Sequence, residues 1–146
     1  MTPQEMWNAY KQINPSIEDE IDAWAFGVDP DLLAELVFKG EKTATASAHD
    51  LYAVEDEPLP QERTFDVVLD SKDQAVCIVE ITKVSVQPFH QVSADHAYKE
   101  GEGDKSLAYW RQVHEDFFKD CLGEAGLTFT PDSKVVLEEF RKVYPL

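Results

Sequence analysis

The chain predicts an α+β protein, a curved and largely antiparallel sheet or small barrel with helices packed on it. Three observations carry that prediction. The elements run helix, helix, strands, helices, strand; no internal repeat occurs; and the regular strand–helix–strand alternation that builds parallel sheets is missing. No shift in composition marks a linker, so the 146 residues are expected to form a single domain, 1–146. A chain of this length buries roughly 68–70% of its unfolded surface, enough for a sizeable core.

Thr2-Pro3-Gln4-Glu5 is a capping box with proline at the first helical position, so a helix is expected over about 2–14. Met6, Trp7, Tyr10 and Ile13 recur at helical spacing and form its buried stripe. Glu18-Asp19-Glu20 reads as a solvated acidic segment. Asp29-Pro30 opens a second helix, with Leu32, Leu33, Leu36 and Val37 inward and Gly40 past its end. Thr43 to Ser47 is small and β-branched, a strand leaving that helix. The acidic, proline-containing stretch 55–62 is a loop. Thr64 to Leu69 and Ala75 to Val86 read as strands joined by the turn Asp70–Asp73. Ser93 opens a short helix through Lys99, which Gly101-Glu102-Gly103 breaks. Asp104 is then expected to cap a helix to about Leu122, with Leu107, Trp110, Val113, His114, Phe117 and Phe118 on its inner face. For Lys134 to Tyr144, Val135-Val136-Leu137 favours a strand over the helix that Asp132, Glu139 and Lys142 would suit.

Charge narrows the class of partner. With 29 acidic and 13 basic side chains the formal charge is −16. Affinity for a nucleic-acid backbone rests on Lys and Arg neutralising phosphates, so a chain this acidic favours a small neutral ligand over a polynucleotide track. The chain has no apolar run near the roughly 20 residues of a membrane span and no signal-peptide pattern, so a cytoplasmic setting is expected. Its two cysteines, Cys77 and Cys121, lack Cys-x-x-Cys spacing and read as reduced thiols.

The chemistry concentrates in Gly40-Glu41-Lys42-Thr43-Ala44-Thr45. Glycine can turn the backbone through positive φ behind a helix, and beyond it stand an amine and a hydroxyl, a base beside a nucleophile. Glu80 is the third unusual residue. It lies in a strand that is apolar on both faces, where an ionised carboxylate needs a partner, and Lys42 is the candidate; an edge strand with Glu80 in water is the alternative. Three residues of the helix after Asp104 could meet a substrate. Arg111 could hold a carbonyl or phosphate with its planar fork, or pair with Glu115; Ser106 could face a cleft or supplement the cap; Trp110 could stack on a base or pack in the core. Glu100, Glu102 and Asp104 lack EF-hand spacing, the four histidines show no zinc spacing, and Gly101-Glu-Gly-Asp-Lys-Ser is not a full P-loop. Neither a metal nor another cofactor is expected.

Together the Gly40-x-Lys42-x-x-Thr45 segment, Trp24-Ala25-Phe26-Gly27, Val92 to Ala97, Glu100-Gly-Glu-Gly-Asp104 and Ser106-Leu107-x-x-Trp110-Arg111-x-x-His114 resemble the ASCH domain family, over about Trp24 to Tyr144. The resemblance implies a PUA-like small β-barrel with surrounding helices and a cleft lined by the Gly-x-Lys-x-x-Thr segment. Some small members look like amidohydrolases that deacetylate N4-acetylcytidine with a Lys, a Thr and a Glu. The first two carry onto Lys42 and Thr45, and the third onto Glu80 by its place in the strand after the motif. Other members resemble ribonucleases or RNA-associated modules, so RNA is a second expected partner, and a protein-interaction domain is a third reading. On the hydrolase reading, Thr45 attacks the amide and Lys42 takes its proton. Burial favours the neutral amine this needs and an ionised Glu80 opposes it, so Glu80 is expected to relay a proton or activate water.

Overall fold

The computed structural model describes residues 1–18 and 20–145; Asp19, read above within an acidic segment, and Leu146 lie outside them. The helices are α1 (Pro3–Ile13), α2 (Pro30–Phe38), α3 (His49–Val54), α4 (Ala94–Glu100) and α5 (Leu107–Glu124). The strands are β1 (Ala23–Ala25), β2 (Ala44–Ala48), β3 (Phe65–Leu69), β4 (Ala75–Pro88) and β5 (Lys134–Tyr144), in one sheet of order β1-β3-β4-β5-β2. β2 runs antiparallel to β5 and β3 to β4, while β1 lies parallel to β3. The α+β class with a largely antiparallel sheet is therefore as predicted. Among the described residues no helix is long and apolar enough to cross a membrane.

The chain forms two compact units, Met1–Lys42 with Glu62–Thr82 and Phe140–Leu146, and Thr43–Gln61 with Lys83–Glu139. In the first, the capping box forms as predicted: the Thr2 hydroxyl accepts from the Glu5 N–H at 3.1 Å, and the Glu5 carboxylate from the Thr2 N–H at 2.9 Å. Met6, Trp7 and Tyr10 pack with Val67, Leu69 and Ile78. Ile13 does not join them; it is the last residue of α1 and is exposed, so the stripe keeps its angle but outruns its packing. Leu32 likewise stays exposed, on the opposite side of α2 from buried Ala34. Cys77 is buried, and burial pushes its thiol up to about 12, which makes it inert.

The second unit is built around Ala48, Phe89, Val92, Ala97, Trp110, Phe118, Leu122, Val135 and Leu137. Lys134–Tyr144 is a strand, as chosen over a helix. Helix α5 begins later than predicted. Ser106 is its N-cap, accepting from the Tyr109 N–H at 3.1 Å, while Asp104 accepts from the Ser106 N–H at 2.9 Å and so braces the cap. Val113, placed on the inner face by its spacing, is exposed. It lies about 60° of arc from Trp110 on the side away from Phe118, beyond the edge of the buried face. Besides a 3₁₀ turn at Phe89–Gln91, two elements escaped prediction. β1 has three residues and owes its form to β3, and α3 has six residues and no side-chain cap.

Candidate functional site

In the first unit, the end of α2 fixes Lys42. Gly40 takes φ of 79°, its N–H bonds the Val37 carbonyl, and the Glu41 N–H reaches back to the Leu36 carbonyl at 2.9 Å. This is a Schellman turn, and the Lys42 N–H joins it by bonding the same Leu36 carbonyl at 3.1 Å. The side chain leaving this turn is 1% exposed, with Nζ 5.4 Å from the centre of the Phe26 ring. Phe26 meets Trp24 edge-on at 4.9 Å. Because Trp24 pairs with Val68, it shares a face of the sheet with Asp66, and its indole Nε1 donates to Asp66 Oδ2 at 3.0 Å. Burial pushes the Asp66 carboxyl up to about 6; the indole bond opposes this and the nearby Asp22 charge adds to it.

Glu80 lies opposite Phe65 on the interior strand β4 and is half-buried, so the edge-strand alternative does not hold. The cation set against it is Arg141 of β5, where the sequence pattern pointed to Lys42. Arg141 reaches Glu80 Oε1 through Nε at 2.8 Å and through a terminal guanidinium nitrogen at 2.6 Å.

In the second unit, Thr45 is half-buried on β2 opposite Glu138. Ala44 and Ala48 point into the interior, so strand alternation turns Thr45 and Ser47 to the other face. The Ser47 and Tyr52 hydroxyls lie 2.6 Å apart beside a pocket of about 220 Å³ that Leu51, Glu55, Phe117 and Cys121 also line. Burial raises the Tyr52 hydroxyl above its ordinary value, the Ser47 bond lowers it, and Glu138, Glu57 and Glu55 raise it further.

Glu100 is the residue the sequence did not disclose. Read as the first acid of a loop, it is instead the last residue of α4, 1% exposed and stopped by Gly101 at φ of 71°. Its Oε2 accepts from Trp110 Nε1 at 2.6 Å and lies 2.8 Å from His96 Nε2; its Oε1 is 3.4 Å from His114 Nε2. His114 Nδ1 sits 2.9 Å from the Trp110 carbonyl, which can only accept, so that nitrogen carries a proton. The available signal was His96 and Glu100 four apart on a helix that Ser93 caps. Glu100, Glu102 and His114 also offer one ligand atom each within 4.8 Å of one another, although Glu100 already spends its Oε2 on Trp110 and His96.

The predicted substrate contacts lie in this unit. Trp110 is 2% exposed, with Phe89 over one side at 5.4 Å and His114 stacked at 4.2 Å. Ser106 spends its hydroxyl on the helix cap. Arg111 is exposed and donates to the His90 carbonyl at 3.2 Å.

Comparison with known proteins agrees with this architecture. Residues 22–144 match the model of the ASCH domain. An ASCH domain from Lactobacillus crispatus JV V101 is 35% identical, with a TM-score of 0.87 over 95% of this chain and 92% of that one. A protein from Enterococcus faecalis V583 is 34% identical, with the same TM-score over 95% of this chain and 86% of its own. A point variant of an ASCH protein from Zymomonas mobilis, 12% identical with a TM-score of 0.53 over 86% and 73% of the two chains, shares the fold alone. No curated protein matches the chain. With its family model spanning nearly the whole sequence and its PUA-like fold shared by solved members, the chain belongs to the ASCH domain family.

Proposed function

We propose that this chain is a cofactor-independent amidohydrolase that removes an acyl group from the exocyclic nitrogen of a pyrimidine nucleoside, N4-acetylcytidine being the model substrate. The observation that carries the reading is the burial of Lys42 within the Gly40-x-Lys42-x-x-Thr45 segment. Solvated lysines are ordinary, whereas an amine withdrawn from water is costly and is the kind of group that works as a base. Thr45 follows three positions later in the same segment.

The reaction balances with these groups. Thr45 Oγ attacks the amide carbonyl and Lys42 takes the hydroxyl proton. The carbon–nitrogen bond breaks, the pyrimidine amine leaves with the proton from Lys42, and an acyl-threonine ester remains. Water then cleaves the ester: Glu80 takes its proton and passes it to the Thr45 oxygen as the acyl–oxygen bond breaks, which releases the carboxylic acid and restores the hydroxyl. Arg111, whose guanidinium is exposed, is the cation that this reading assigns to a substrate oxygen.

The test is hydrolysis of a panel of acylated cytidines by the wild-type protein, Lys42→Met and Thr45→Ala. Wild type should release free cytidine, and each variant should be slower by about 10²–10⁴-fold, the usual contribution of a positioned base or nucleophile. Turnover should barely respond to added salt, whereas affinity for RNA would fall steeply. Full activity in both variants would end the proposal.

A further inference from the structure

We infer that Phe26 and Trp24 form a stacking wall beside Lys42 against which a planar pyrimidine ring lies. This is a binding surface distinct from the Trp110 that the sequence offered. The identity of the ligand rests on the hydrolase reading; the wall itself rests on geometry within the first unit.

The chain has three tryptophans, and their burial separates them. Trp7 and Trp110 are 3% and 2% exposed, so their ring faces are occupied by the protein. Trp24 and Phe26 are half-buried, which leaves aromatic surface in contact with solvent. Their placement is also specific. The Lys42 amine stands over the Phe26 ring at 5.4 Å, and Trp24 meets that ring at 89°. The edge-on pair is braced from behind, since the Trp24 indole is tied to Asp66 at 3.0 Å.

Chemistry selects the ligand class. An open aromatic face accepts any planar ring, and stacking a base on such a face is sequence-tolerant and favourable in water. The Lys42 amine, which stands over the Phe26 ring, is a donor that suits a carbonyl acceptor. A pyrimidine bearing an acylated amine satisfies both, with its ring on the wall and its acyl carbonyl toward Lys42. Asp66 acts as a positioning residue that keeps the indole in register without touching the ligand.

The experiment is a titration of the full chain, labelled at its indole nitrogens, with cytidine, followed by the indole N–H signals. The Trp24 signal should shift while those of Trp7 and Trp110 stay in place. Phe26→Ala should weaken cytidine binding by about ten-fold or more, and Phe26→Tyr should restore it. Unchanged Trp7 and Trp110 signals in the variant establish that it is folded. A stationary Trp24 signal, an absence of cytidine binding, or wild-type affinity in Phe26→Ala each overturns the wall. If cytidine moves Trp24 but acylated cytidines are never cleaved, the wall stands and the hydrolase reading falls.

Discussion

Among the described residues, each unit holds one charged side chain as little as 1% exposed, just at or beyond a helix end, and the two are housed differently. Lys42 follows the glycine turn that closes α2 and faces half-exposed aromatic rings. Glu100 closes α4 ahead of Gly101 and is enclosed by a buried indole and two imidazoles. The same local device, a left-handed glycine behind a short helix, therefore serves two ends. Around Glu100 the Trp110, His96 and His114 rings are packed, and the carboxylate organises a core. Beside Lys42 the Phe26 ring keeps part of its surface exposed, which is where a ligand can be met. Burial of a charge alone does not mark a reactive site; what matters is whether its surroundings stay open.

The largest test of that contrast is removal of Glu100. Glu100→Ala leaves the Trp110 indole N–H without its acceptor and strips His96 of its carboxylate. Leaving buried donors without their acceptor costs about 1–3 kcal/mol for each group. Urea unfolding should show that loss, together with a blue-to-red shift in the fluorescence of Trp110. A cost under about 1 kcal/mol would show that the Glu100 cluster is not the structural half of the comparison.

The sequence made one half of this contrast legible and concealed the other. Gly40-x-Lys42-x-x-Thr45 stands out because glycine, amine and hydroxyl fall in one short segment directly behind an apolar helix. Glu100 hides because its partners come from other elements: Trp110 and His114 are ten and fourteen residues away, and only folding α5 against α4 brings them together. The strands were readable from their β-branched runs. Strand β1 was not, since its three residues are extended only because β3 pairs with them. Arg141 as the partner of Glu80 was equally hidden, because a cross-strand pair between residues sixty-one apart depends on a sheet order that no local pattern encodes.

A smaller effect sharpens the open side. Asp66 is raised to about 6 from 3.8 because folding removes it from water. The folded chain thus holds this proton more tightly than the unfolded chain between those values. Its contribution is favourable in full below about pH 3.8 and is lost as pH climbs through about 6, a change on the order of 3 kcal/mol at most. Asp66→Asn cannot ionise and still accepts the Trp24 indole bond. Its stability relative to wild type should therefore rise between pH 4 and pH 7, read from thermal unfolding at each pH. A constant difference would mean that the carboxylate is solvated, and that the brace behind Trp24 is looser than the geometry implies.

The smallest effect concerns how the closed side is assembled. Helix α5 carries both Trp110 and His114 to Glu100, and Ser106 starts it. Ser106→Ala removes one N-cap bond and should cost about 1 kcal/mol. Asp104→Ala should cost less, because that carboxylate bonds the Ser106 N–H from an exposed position and does not cap the helix itself. The ranking separates the two residues that the sequence alone ordered the other way. Combined with Glu100→Ala, the Ser106 cost should shrink, since a helix start matters less once the contact it positions is gone. Strict additivity would instead show that α5 is held by Phe118 and Leu122 further along, and that the Glu100 network is a passenger on the helix.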